Sequence, residues 1–422
     1  MTLRGPLDGA ATGWVFFWLA FLAVYIHFGG LAFAGLAILL GVAGWAVWFA
    51  RRAEVPVLHR GFTWPAAAFT LFFLWLGISG QWSGHGPDTA LRLGAQTALA
   101  ASLPVLFTTR SSGSRTLLSH LVMAMALAGV AVLALDVASG YGINTFLDPI
   151  GPDGDLNRRQ GEAEMNIGRG HVVYAVMAPL LVALFQTRLP KGRVWPAILV
   201  FCALLVIGSQ LNRLAIAPIV LMAGLALLAV GWRWPRAGLR LSVGTLVASV
   251  ALAPLVGVAS RVAGPLVADR LPMSWDHRIR MWDYSLARIL EAPLFGKGLD
   301  SSRTLQDDFT TRIGVDMPFV SLHPHNVGIQ TWLETGLVGA LLLSLALASL
   351  YRPLRRLCAG TPARTAAVSG VLMATAVASA VTVGAWQYWW WGLIALTLSM
   401  VALIPERPED AHRLDPADIV PG

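Results

Sequence analysis

Apolar runs of roughly 20 residues, enough to cross a bilayer as a helix, recur along almost the whole of this 422-residue chain and restrict its fold more than any other feature. Segments near 13–28, 30–50, 62–80, 89–109, 117–138, 171–187, 194–211, 214–231, 241–259, 327–350, 365–384 and 387–404 read as spans, about twelve in all. With 56% hydrophobic and 13% charged residues and a mean hydropathy of +0.64, the chain lies outside the range of soluble domains. The expected fold is therefore an all-α polytopic membrane protein, with short helices in its large outward loop. The first apolar run is one span among many rather than a cleavable signal, and no soluble catalytic domain is left over. Gly29-Gly30 suggests a tight helical hairpin between the first two spans. Cys202 and Cys358 fall in or beside apolar runs, so no disulfide framework is suggested.

Basic residues order the loops. Arg51, Arg52 and Arg60; Arg110 and Arg115; Arg188, Lys191 and Arg193; Arg233, Arg236 and Arg240; and Arg352, Arg355, Arg356 and Arg364 fall on every second loop. That alternation puts these loops and both termini in the cytoplasm. The chain then divides into spans one to nine over 1–259 with an outward loop near 139–170, a large outward loop over 260–326, three further spans over 327–404, and a polar cytoplasmic tail over 405–422. Long loops translocate largely regardless of charge, so the arginines of the two outward loops do not overturn this topology. The formal charge of +8 comes almost entirely from arginine, the better bidentate partner for phosphate. Two readings follow for the outward arginines: lipid headgroup binding at the surface, or an anion site built jointly by both loops. The run AWQYWWWG at Ala385 to Gly392 reads as an interfacial aromatic belt, with a sugar-stacking platform as the alternative.

One stretch concentrates polar chemistry at the mouth of a span: SLHPHNVGIQTWLETGLVG, Ser321 to Gly339. A helix starting after His325 puts His325 and Gly336 on one face about three turns apart, with Gly339 close by, and glycines there admit a neighbouring helix. Pro324 stiffens the entry and Asn326 is placed to cap the helix. An imidazole with a reference pKa of about 6.5 is a candidate general base, and an interfacial hydrogen-bonding role is the plainer reading. His323 is either a second polar ligand or a brace for the turn. Glu334 lies inside the span, where an ionisable group faces a protein interior or a watery cavity, to orient a site residue or pair with an arginine. Arg213 sits on a short outward turn, GSQLNRLAIAP, and Arg278 and Trp282 lie one turn apart on an amphipathic stretch that ends in a Pro-Leu-Phe-Gly turn. Asp153/Asp155 and Asp307-Asp308 are weak metal candidates only, and no nucleotide-binding loop is present.

His325-Asn326, nine residues, Gly336, two residues and Gly339 resemble the histidine signature of the bacterial O-antigen ligases. Arg278-x-x-x-Trp282 with APLFGKG is similar to the arginine-bearing segment that precedes that signature. The resemblance implies a multi-pass inner-membrane glycosyltransferase that moves O-antigen from undecaprenyl diphosphate to a sugar of lipid A–core, inverting the anomeric centre without metal or cofactor. It implies a catalytic His325 and a diphosphate held by Arg213 and Arg278, with Arg280 a rival for Arg278. The Arg213 match is imperfect, because Ala217 stands where the family pattern has leucine. His323, Asn326, Glu334, Gly336 and Gly339 are supporting residues, the active site faces the periplasm, and the partners are the two glycolipids and membrane lipids, with no nucleic acid. An O-antigen polymerase or a protein O-oligosaccharyltransferase of the same superfamily is the near alternative. A flippase or transporter is the distant one, opposed by the lack of repeat symmetry and of matched broken helices.

Overall fold

The structure, a computed structural model, describes residues 6–51, 56–147, 156–267, 270–305 and 307–406. Asp153, Asp155 and the polar tail after Glu406 lie outside the described residues. Ten helices among those described are long and apolar enough to cross a membrane, so the chain is an all-α, multi-pass membrane protein. Two of the twelve expected segments differ in form. The ninth is a pair of helices, Pro235–Ala251 and Pro254–Val267, bent by 70°, where Pro254 cannot continue the first helix. The twelfth, Tyr388–Leu403, is a shorter apolar helix.

Gln160–Arg188 forms the axis of the bundle: 94% of its apolar stretch is buried, against 28% for Lys191–Leu211. That explains why Val172 to Phe185 is apolar on every face rather than along one stripe. Neighbouring helices reach the axis through small residues. A Cβ on Gly370 would lie 2.5 Å from Pro179 Cβ, and one on Gly224 3.0 Å from Pro179 Cγ. Much of the loop expected near 139–170 is helix, since Gly142–Leu147 forms one turn and the axial helix begins at Leu156. Gly29 and Gly30, at φ +76° and +70°, make the hairpin turn between the first two spans; Gly29 packs against Asn166 and Arg169, and Gly30 against Val173.

The large loop also departs from an all-helical reading. Asp308–Thr310 and Asp316–Pro318 pair antiparallel, and the helix Met273–Glu291 meets this hairpin through Tyr284, which stacks on Phe319, and His277, which packs with Phe309. The amphipathic pattern of Met273–Glu291 becomes a docking face. Trp282 and Ile289 bury against Ile329 and Leu333 of the helix Val327–Ser349 and against Ala253 at the bend. That contact brings the arginine helix to the histidine turn.

Candidate active site

His325 is held at φ +50°, a left-handed conformation uncommon outside glycine. Three contacts over-determine it. Its ring Nδ1 donates to Thr382 O at 3.1 Å, its backbone N–H donates to His323 Nδ1 at 3.2 Å, and Trp282 Nε1 donates to the carbonyl of Pro324 at 2.9 Å. Because a carbonyl can only accept, His325 carries its proton on Nδ1, and Nε2 keeps a free lone pair. Burial pushes His325 down to about 4. The Thr382 bond works the other way, and the charges of Arg278, His277 and Arg169 lower it further. His323, buried and pushed down to about 3 first by that burial, is a brace: its Nδ1 accepts and its Nε2 faces the Gln387 amide at 3.0 Å. The T-shaped contact between the two rings, 4.5 Å between centroids, fixes their relative pose.

Asn326 caps the helix as expected, accepting from Ile329 N at 2.9 Å, while its amide donates to Ala380 O at 2.8 Å. The face expected to run unbroken from His325 to Gly336 is interrupted. Gly336 adopts φ +65°, ψ −166°, so the helix kinks there, and Gly339 lies beyond the kink against Thr335 and Trp75. The backbone groups freed by the kink are met by the segment Pro293–Gly298. Lys297 N donates to Leu333 O (2.9 Å), Gly298 N to Glu334 O (2.8 Å), Leu337 N to Pro293 O (2.9 Å) and Val338 N to Leu294 O (3.2 Å). Non-helical backbone at membrane depth survives only when protein covers it in this way. An apolar groove of about 660 Å³, lined by Trp75, Trp82 and Ala292–Gly296, opens beside the kink.

Glu334, fully buried, joins these parts. Its carboxyl accepts from Asp300 N (2.5 Å), Ser302 Oγ (2.6 Å), Gln330 Nε2 (2.9 Å) and Trp386 Nε1 (2.5 Å). Its four donors come from three chain segments and, among the described residues, no arginine pairs with it. Trp386 thereby corrects the reading of AWQYWWWG as an interfacial belt. Trp386, Trp389 and Trp390 are buried, Gln387 touches His323, and Ala385 N donates to Gln330 Oε1 at 2.7 Å.

The candidate arginines separate by their partners. Arg278 donates Nε to Val381 O (2.9 Å) and one terminal nitrogen to Ser274 O (2.8 Å), and lies over the Trp275 ring. Burial lowers its pKa, and no carboxylate pairs with it among the described residues. Arg280 is paired with the buried Asp276 at 2.8 Å and lies over Phe309, directed to the hairpin. Arg213, exposed and at φ +53°, stands on a turn held through Asn212, which accepts from Tyr141 Oη at 2.7 Å and donates to Glu164 O at 3.3 Å. The structure thus gathers His323, His325, Asn326, Glu334, Gly336 and Arg278 into one network, and no contact among the described residues joins Arg280 or Arg213 to it. Thr382, Gln330 and Gln387 join this network by hydrogen bonds that no spacing in the sequence singled out.

Residues 196–344 match the family model described as O-Antigen ligase, a range that includes Arg213, Arg278 and the whole histidine stretch. A protein named "Putative polysaccharide ligase" in Rickettsia conorii is 28% identical over 131 residues, and one of the same description in Rickettsia bellii is 30% identical over 131 residues. Each alignment covers 29% of this chain and 31% of the relative, so the chain spans less than a third of the curated relatives it matches.

Proposed function

We propose, for a multi-pass membrane chain that carries an O-antigen ligase family domain at residues 196–344, a glycosyltransferase that moves O-antigen from undecaprenyl diphosphate to a sugar of lipid A–core. The observation that supports it best is a rigidly held, neutral His325 whose Nε2 has no hydrogen-bond partner among the described residues, beside an Arg278 that none of their carboxylates pairs with. In this reading an acceptor hydroxyl oxygen attacks the anomeric carbon and the bond from that carbon to the diphosphate oxygen breaks. The hydroxyl proton passes to His325 Nε2, and undecaprenyl diphosphate leaves. A single displacement inverts the anomeric centre. Arg278 and Arg213 hold the diphosphate as it gains charge, the role a metal ion would otherwise fill.

The low pKa of His325 fits this sequence of events. Without donor the ring is neutral and a weak base; an anion seated on Arg278 raises its pKa and makes it a stronger one. Donor binding thus arms the base. The polyprenyl tail would lie along the apolar groove beside the kink, and the site would open on the periplasmic side of the inner membrane.

The test is transfer by purified protein in detergent, given undecaprenyl-diphosphate O-antigen and lipid A–core, with EDTA and no nucleotide. Glycan should appear on lipid A–core, and His325→Ala should abolish it while donor binding persists. Longer chains on the carrier alone would mean a polymerase. Transfer only to a serine or threonine would mean a protein oligosaccharyltransferase, and retained activity in His325→Ala would remove this residue from the chemistry.

A further inference from the structure

Arg169 stands near the start of the buried axial span Gln160–Arg188, where the chain leaves the first outward loop. Arginines that serve structure in this molecule are well partnered. Arg364 holds Ile404 O at 2.9 Å and Glu406 at 2.7 Å, and Arg110 reaches Leu106 O at 2.9 Å and Asp8. Arg169 is not. Its guanidinium meets Asn166 Oδ1 at 3.5 Å and the thioether of Met165 at 3.3 Å, the first at the limit of a hydrogen bond and the second a weak acceptor. Among the described residues no carboxylate pairs with it. A half-buried cation on a membrane helix with so little to hold is costly unless a ligand supplies the anion.

Its placement points to which anion. Gly29, in the hairpin turn, packs on the stem: a Cβ there would lie 3.4 Å from Arg169 Cδ. The preceding residue, Gly168, lies so close to Asn212 that its Cβ would be 3.4 Å from the amide nitrogen. The turn bearing Arg213 is therefore packed against the helix that carries Arg169, to which Asn212 also donates at Glu164 O. The charge of Arg169 also lowers the pKa of both His323 and His325, the latter together with Arg278. Among the described residues Arg169, Arg213 and Arg278, from three different elements, pair with no carboxylate, and Arg169 stands on the helix against which the Arg213 turn packs while its charge reaches the histidine pair.

We propose that Arg169 is a third arginine of the anion site, donating to a phosphate oxygen of the lipid-linked diphosphate between Arg213 and Arg278. The assignment rests on the glycosyl-transfer reading given above and extends it to the first outward loop, outside the matched domain. A dianionic diphosphate has enough oxygens to take three guanidinium groups, and a forked donor on a rigid helix supplies two parallel bonds without reordering.

The experiment is binding of undecaprenyl diphosphate to the purified full chain in detergent, with undecaprenyl monophosphate for comparison, alongside donor and acceptor KM. Arg169→Gln should raise the Kd for the diphosphate lipid and the donor KM about 10- to 100-fold, the loss of a charge-assisted contact, with acceptor KM and melting temperature unchanged. Arg169→Lys keeps the charge and loses the fork, and serves where Arg169→Gln does not fold. A Kd raised about fivefold or more supports the proposal. Wild-type Kd in either variant, against a wild type that prefers the diphosphate, overturns the Arg169 assignment and leaves the glycosyl-transfer reading standing. A wild type that binds the two lipids equally overturns the diphosphate reading itself.

Discussion

Trp282 donates its indole N–H to the carbonyl oxygen of Pro324 at 2.9 Å, and this bond ties the helix that carries Arg278 to the turn that carries His325. Both the cation and the base are thus referred to one rigid joint, because Trp282 is buried against Ile329 and Leu333 of the histidine helix. Trp282→Phe keeps most of the packing and removes the donor. It should lower kcat about 10-fold, as a mispositioned base does, with donor KM changed less than about twofold. A variant with wild-type kcat would show that the turn is fixed by Thr382 and His323 alone.

Acid should act on this site later than on an ordinary histidine. His325 stands at about 4 in the folded protein against 6.5 for a free imidazole, so the unfolded chain binds the proton more tightly. Its contribution to stability is fully present above about 6.5 and is lost as pH falls through about 4. For the same reason kcat/KM, which reports the free enzyme, should keep its plateau well below pH 6.5 and fall toward 4. The acid limb of kcat should lie higher, because bound diphosphate raises the ring. Initial rates at limiting and saturating donor across this range measure both, and a kcat/KM limb at about 6.5 would rule out a buried neutral base.

Arg278 and Arg280 are distinguished by what each already holds. Arg278→Ala should raise donor KM about 10- to 100-fold, and Arg278→Lys should recover little because the fork is lost. Arg280→Ala should change donor KM less than about threefold. It leaves the buried Asp276 without its partner, at a stability cost of about 1–2 kcal/mol after allowing for the exposure of Arg280. Donor kinetics and melting temperatures of the three proteins decide it, and the opposite pattern would exchange the two roles.

Much of this was legible in the sequence, and what escaped did so for identifiable reasons. Spans could be counted because each must be apolar through its length, and Asn326 could be placed as a cap because few residues satisfy a free helix N–H. The Trp386–Glu334 contact could not, since the two residues are 52 positions apart and tryptophan satisfied by a buried carboxyl has the same hydropathy as tryptophan at an interface. The hairpin at Asp308–Thr310 and Asp316–Pro318 has strands of three residues, too short to show alternation. Arg169 was visible as an outward-loop arginine, but its neighbours Gly29 and Asn212 are brought in only by tertiary packing.

Gly336 shows the same limit most directly, and it yields a sharp expectation. In an apolar run a glycine reads as a helix-packing residue, whereas here it takes φ +65°, ψ −166°, a region that only glycine occupies comfortably. The residue cannot be replaced by relaxation of side chains, because a Cβ would lie 2.3 Å from the backbone oxygen of Leu294 and 2.5 Å from Phe295 N. Gly336→Ala must therefore either straighten the helix or expel the Pro293–Gly298 segment. Expulsion strips Glu334 O and Leu333 O of their donors and shifts the carboxyl that holds Asp300, Ser302 and Trp386. The variant should lose about 3 kcal/mol or more of stability and more than about tenfold in activity. Gly339→Ala carries no positive-φ strain, but a Cβ there would lie 1.9 Å from Thr335 Oγ1 and 2.3 Å from its Cβ, so it should cost stability by side-chain crowding alone and leave the backbone bonds of the kink in place. Thermal unfolding and transfer rates of the two variants in one detergent make the comparison, and equal losses at both positions would mean that packing rather than the kink is what the first glycine supplies.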